Sequence, residues 1–278
     1  MSTNEKPNTI VLINGLWMTA RSWEHWVERY TQKGYKVIAR SWPGMEGDID
    51  ELRRNPSKDI GKLGITEIVD HYEAIVRAQD SPPIIMGHSF GGLFTQILLD
   101  RGLGAAGVAI DSAPVKGILI LPFSTIKSSF PALSNPFNYH HVAPLTEGQF
   151  HYAFGNLLSE EESKKVYDRY AVPGPDHILF QATLGTFNPH APTSVNFHND
   201  DRAPLLLVAG GKDHIAPASV TKTNFNLYKK SKAVTDYKEF PERSHFTLGQ
   251  AGWEEVADYA LDWAVAHAGE RAAAVVTR

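Results

Sequence analysis

In Gly87-His88-Ser89-Phe90-Gly91 a serine stands between two glycines, directly after the apolar run Pro83-Ile84-Ile85-Met86 and shortly before Leu93-Phe94-Thr95-Gln96-Ile97-Leu98-Leu99. A serine hydroxyl attacks a carbonyl only if a base can take its proton and if it stands clear of its own backbone. A buried strand running into a sharp turn and then a helix meets the second condition, with Ser89 at the tip. Such a turn is strained, and side chains two residues either way would collide across it. Gly87 and Gly91 remove those collisions. Phe90 then falls in the first helical turn, where its N–H has no intrahelical acceptor and can point at the carbonyl under attack.

The elements needed to hold this turn are legible on either side of it. Short β-branched runs alternate with helical patterns, as in a mostly parallel, doubly wound α/β sheet. Ile10–Ile13, Tyr35–Ala39, the run ending at Met86, Gly107–Ile110, Pro204–Ala209 and Thr235–Phe240 read as strands. Helices are expected over Trp23–Tyr30 with Ser22 as cap, over Thr66–Gln79 with Thr66 as cap, after the elbow, over Ala218–Lys230 and over Trp253–His267. The tail from Gly269 shows no pattern and should fray. Between residues 113 and 203 the alternation stops. Thr146–Leu158, Ser159–Tyr170 and His177–Leu184 read there as helices joined by Pro-rich loops. We expect a core domain of residues 1–112 and 204–278 and a helical cap of residues 113–203 inserted over the site. This insertion holds eight of the thirteen phenylalanines, which either form its own core or line an apolar pocket.

Composition narrows the function further. With 278 residues, 42% hydrophobic, 21% charged and a formal charge of −4, the chain has an ordinary globular composition and the length for one large α/β domain, or for a core domain with an insertion. No Lys/Arg block exceeds two residues, so neither nucleic acid nor an anionic membrane is the expected partner. The absence of cysteine excludes thiolate metal sites and Cys nucleophiles. The polar start Met1–Asn8 and the four-residue run Ile10–Ile13 do not suit a signal peptide, and no apolar stretch is long enough for a membrane span. A cytoplasmic protein with a small-molecule substrate and no metal or other cofactor is the expectation.

With these residues in place, the chain resembles the α/β-hydrolase superfamily over residues 8–268, and most of all its small capped esterases, lactonases, carbon-carbon bond hydrolases, haloperoxidase-like enzymes and hydroxynitrile lyases. The resemblance implies a triad in the order nucleophile, acid, histidine. Gly210-Gly211-Lys212-Asp213-His214-Ile215-Ala216-Pro217 looks like the family's Gly-x-x-Asp-x-x-x-Pro loop, which points to Asp213 as the acid. Asp111, after the strand Gly107–Ile110, is the alternative. Arg243-Ser244-His245-Phe246 lies where the histidine is expected, making His245 general base and then general acid. The loop after the first strand, usually His-Gly-x, reads Asn14-Gly15-Leu16-Trp17. It implies Leu16 N–H beside Phe90 N–H as oxyanion donors, with different hydrogen bonds holding the loop. Trp17, Met18, Phe137, Phe154, Phe187 and Phe246 are the candidate substrate contacts. His88 is expected to pack behind the elbow.

Ser89 argues against the dehalogenases and epoxide hydrolases of this fold, which place a carboxylate at the elbow. Phe246 stands where a comparable hydroxynitrile lyase has a lysine. What remains is ester or lactone hydrolysis through an acyl-enzyme on Ser89. A carbon-carbon bond hydrolase or perhydrolase with the same triad, and a non-catalytic ligand-binding relative, are the alternatives.

Overall fold

The computed structural model describes residues 7–118 and 136–276. Six parallel strands form its central sheet: β1 (Thr9–Ile13), β2 (Lys36–Arg40), β3 (Ile84–His88), β4 (Ala106–Ile110), β7 (Leu205–Gly210) and β8 (Thr235–Phe240). Their order is β2-β1-β3-β4-β7-β8. The four inner strands are buried along their whole length, and their continuous apolar sequences are what a sheet covered on both faces requires. Successive side chains part to opposite faces, Ile10 and Leu12 to one and Val11 and Ile13 to the other. The first face packs on helix α1 (Glu24–Gln32), through Trp26 and Tyr30, and on α9 (Trp253–Val276), through Val256, Ala257, Ala260, Leu261 and Ala264. The second packs on α3 (Ile65–Arg77) and α4 (Phe90–Asp100), while α8 (Ala218–Tyr228) lies against β7 and β8.

α3 presents Ile65, Ile68, Val69, Tyr72 and Val76 on one buried stripe. α4 is buried on every side up to Leu99, as its largely apolar sequence demands. It therefore holds the residue preceding it, Ser89, on a rigid base. The chain runs from β1 out to β2 and returns across the sheet to β3. That reversal opens a crevice at the carboxyl ends of β1 and β3, the place where such sheets bind ligands.

Between β4 and β7 lie α5 (Glu147–Ala153), α6 (Glu160–Tyr170) and α7 (Asp176–Leu184), as the sequence led us to expect. Ser159 caps α6 and Thr146 caps α5, each with a reciprocal bond from the residue three positions on. A small antiparallel pair not anticipated from sequence, β5 (Val142–Ala143) with β6 (Gly174–Pro175), is too short to show a period. Arg53 on α2 (Ile49–Arg54) donates to the carbonyls of Tyr167, Asp168 and Ala171, capping the end of α6. On the opposite flank Asn156 Nδ2 donates to Lys212 O at 3.0 Å and His214 Nδ1 lies 2.9 Å from Tyr152 O. The segment is thus tied both to the sheet's helices and to the loop after β7.

Three boundary expectations need correction. Ser22 does not cap α1, because a 3-10 turn over Ala20–Trp23, capped by Thr19, comes first. Thr66 lies inside α3; the helix starts one residue earlier, and Glu67 reaches back to Gly64 N–H. The last helix continues to Val276 rather than fraying from Gly269, since the residues from Glu270 to Val276 include no further glycine and no proline. Phe123 and Phe130 lie outside the described residues.

Candidate active site

Ser89 has φ 57 and ψ −120, a left-handed conformation that a non-glycine residue adopts only when its surroundings enforce it. Here they do. Ser89 N–H donates to Ile110 O, and Ser89 O accepts from Gly92 N–H and Ala113 N–H. A Cβ on Gly87 would run into Gly91 O, and one on Gly91 into Ile13 O. Both glycines are therefore required by close approach of backbone. Phe90 opens α4, so its N–H has no intrahelical acceptor.

The loop after β1 comes up against this elbow. Gly15 is so close that an added Cβ would lie 2.7 Å from Ser89 Cβ and 3.3 Å from its Oγ. Asn14, fully buried, ties the loop to itself through Nδ2, which donates to Gly15 O at 3.0 Å and to Met18 O at 2.7 Å. Its own carbonyl accepts from Trp42 Nε1, and Oδ1 accepts from the Tyr72 hydroxyl. These are the different hydrogen bonds expected of a loop lacking the usual histidine, though neither Trp42 nor Tyr72 could be assigned to it from sequence. The loop also forces Trp17 to φ 63. Leu16 N–H takes part in none of the loop or side-chain hydrogen bonds of the described residues.

Asp213 and His245 meet across two loops. Asp213 Oδ2 accepts from His245 Nδ1 at 2.6 Å, while Oδ1 accepts from Ile215 N–H and Ala216 N–H at 2.7 and 2.9 Å. The carboxylate is thereby fixed and the tautomer of His245 set, with Nε2 left as the acceptor. Nε2 is buried and has no hydrogen-bond partner among the described residues. Burial alone would lower the His245 pKa, but the charge and hydrogen bond of Asp213, with a further contribution from Asp111, raise it. The structure thus brings Asp213 to His245 Nδ1, while Asp111 stands close by without bonding to His245, held by Gly210 N–H at 2.6 Å. His88 lies behind the elbow as expected, with Nε2 2.8 Å from His245 O.

The candidate substrate contacts divide. Trp17, Met18, Phe154 and Phe246 are buried in the same apolar cluster as Leu16 and Phe90. The Phe154 ring meets the His245 ring edge-on at 4.9 Å and the Trp17 ring at 6.5 Å. Phe246 turns toward Tyr170, 5.9 Å between ring centres. Phe137 and Phe187 are set apart from that cluster, 93% and 85% exposed. Residue type alone could not separate them from Phe154, since both lie in short 3-10 turns with no helical period. A cavity of about 220 Å³ near them is walled by Tyr139, Phe180 and Leu184, and no residue of the Ser89 cluster reaches it.

Among the described residues the one trio with metal-ligand atom types in close approach is His88, Asp111 and His245, within 4.8 Å of one another. Of these, His245 Nδ1 is already engaged by Asp213, and His88 Nε2 lies 2.8 Å from His245 O. No helix among the described residues is long and apolar enough to cross a membrane.

Residues 10–259 match a family model described as alpha/beta hydrolase family. A search of curated proteins gives no significant match. Among solved structures, a monoacylglycerol lipase from Paleococcus ferrophilus superposes with a TM-score of 0.65 at 20% identity, covering 94% of this chain and 96% of its own. An extracellular α/β-hydrolase from a Paenibacillus species, said to share structural and functional homology with tobacco salicylic acid binding protein 2, gives 0.64 at 18%, covering 91% and 97%. Polyneuridine aldehyde esterase gives 0.62 at 14%, covering 92% and 99%. At these identities the likeness is one of fold.

Proposed function

The chain belongs to the α/β-hydrolase family, and from that premise we propose that it is a serine hydrolase cleaving carboxylic esters, lactones included, of small and largely apolar substrates. The observation that carries this reading is the strained Ser89 at the elbow, with the buried Asp213–His245 pair held against its neighbour His88. Esterases and lipases among the fold neighbours support hydrolysis of esters.

In the mechanism, His245 Nε2 takes the Ser89 proton as Oγ attacks the carbonyl carbon. The negative oxygen is held by Phe90 N–H and Leu16 N–H, and Asp213 stabilises the imidazolium. His245 then gives the proton to the departing alkoxide, and water, activated by the same imidazole, releases the acid. Residues 113–203 act as a cap whose Phe154, with Trp17, supplies an apolar wall close to His245. No metal or other cofactor enters these steps, and the working compartment is the cytoplasm.

The test is direct. Short p-nitrophenyl esters are turned over and a fluorophosphonate labels Ser89, while Ser89→Ala loses labelling and on the order of 10⁴-fold or more in kcat. Absence of both labelling and turnover in the intact protein would falsify the reading in favour of a ligand-binding relative. Labelling without ester turnover would favour the carbon-carbon bond hydrolase or the perhydrolase.

A further inference from the structure

Asp111 directly follows β4, in a conformation that is unfavourable on two counts. Its backbone sits at φ 46, in the left-handed region that a residue with a Cβ occupies only under constraint. Its carboxylate is fully buried, yet Oδ2 has no hydrogen-bond partner among the described residues. Oδ1 is held by Gly210 N–H, at the end of the strand that leads to Asp213. A group needed only to tie β4 to β7 has no use for a second, unsatisfied oxygen. That oxygen lies 4.0 Å from His88 Nε2, and the carboxylate comes within 4.8 Å of a ring nitrogen of His245.

We propose that Asp111 is a positioning residue of acyl transfer, a second carboxylate that joins Asp213 in stabilising the imidazolium His245 becomes on taking the Ser89 proton. The proposal rests on the hydrolase reading above. As Oγ bonds to the acyl carbon, the Oγ–H bond breaks, the proton passes to Nε2, and the carbonyl π pair moves onto oxygen. The ring then carries a full positive charge at a position with no solvent exposure. Asp213 faces one side of that charge through Nδ1 and Asp111 adds a second negative group. The charge is discharged when Nε2 returns the proton to the leaving alkoxide.

The groups facing Asp111 come from every element around it. They are His88 from β3, Gly210 N–H and Asp213 from β7 and its loop, and His245 and Thr247 from the loop after β8. Tyr237, on β8, also senses its charge. Burial first, then repulsion from Asp213, push the Asp111 carboxyl up to about 7, against the pull of His245, Thr247 and Gly210. The Asp111 carboxyl is thus harder to ionise than an ordinary aspartate, and a positive charge arriving on His245 favours its anion. Burial, then the charge of His245, hold His88 well below the usual histidine range, so it adds no opposing charge.

The experiment is an NMR titration of ¹³Cε1-histidine-labelled protein, wild type against Asp111→Asn, with His245 assigned from the spectrum of His245→Gln. We expect the His245 midpoint to move to lower pH in D111N, and a broad wild-type curve to become single-site. On p-nitrophenyl acetate kcat should fall roughly 10-fold, the equivalent of one pKa unit, with KM little changed. An unmoved midpoint in folded D111N overturns the proposal, because a purely structural role predicts a loss of thermal stability alone. If D111N does not fold, Asp111→Ser, which keeps an acceptor for Gly210 N–H without the charge, is read in the same way; no movement of the midpoint there overturns the proposal equally. The titration needs no substrate. A midpoint that moves in D111N while the wild type cleaves no ester would sink the hydrolase reading and uphold the coupling of Asp111 to His245.

Discussion

Asn14 shows how much of a site can depend on a residue that touches no reacting atom. Its amide holds the carbonyls of Gly15 and Met18, and so fixes the direction of the Leu16 N–H between them. Asn14→Ala should leave Ser89 reactive toward a fluorophosphonate but lower kcat and kcat/KM together by about 10²-fold, the size of effect expected when one oxyanion donor is misplaced. Steady-state kinetics on a p-nitrophenyl ester check this, and a large rise in KM instead would mean that the loop binds ground-state substrate. At this scale Ser89 is legible in its own glycines and in the strand and helix on either side, whereas Asp213 and His245 are legible only through the resemblance of their loops to those of the family. The sequence does not announce the Asn14 network. Its distant members, Trp42 and Tyr72, are brought to Asn14 only by the pairing of β1 with β2 and the packing of α3.

The elements position the site by approach of backbone to backbone. The elbow works because α4 crosses close over β1 and β3, with no room for a side chain at Gly91 or Gly87. Gly91→Ala should destabilise the protein by about 3 kcal/mol or more, a displacement rather than a propensity effect. Gly148→Ala on α5 meets nothing within 4 Å and should stabilise slightly, by about 0.5–1 kcal/mol. Urea unfolding of the two variants reads both signs, and an equal effect at the two positions would refute the crowding account. The four inner strands are legible in the sequence as buried apolar runs, and the two edge strands, β2 and β8, as short segments rich in β-branched and aromatic residues. α2 is not legible, since its polar sequence serves to present Arg53 to the end of α6.

For the whole molecule, the same buried charges set activity and stability against each other across neutral pH. His245 must be neutral to act as base. Because Asp213 and Asp111 raise its pKa despite burial, the acid limb of kcat/KM should lie above the ordinary histidine range. Stability runs the other way. His245 and Asp111 both have folded-state pKa values above their unfolded ones, so the stability they contribute is present at low pH and is lost as pH rises through the folded values. Tm should therefore fall as pH rises toward about 7, through the range in which Asp111 is protonated in the fold and ionised in the unfolded chain, and fall less in D111N. Calorimetry beside pH-rate profiles checks this; a Tm that rises over that window refutes it.

The bond between His88 and His245 joins residues 157 positions apart. Ser89, Asp111, Asp213 and Asn14 likewise sit at the ends of different strands, each paired with a neighbour distant in sequence. The helices can form from local contacts, but these ends come together only once long-range parallel pairing is complete. The reactivity proposed for Ser89 is consequently expected late in folding. It reports on the finished sheet in a way that recovery of helical signal does not, and it distinguishes a chain that has merely collapsed from one whose two halves have closed on each other.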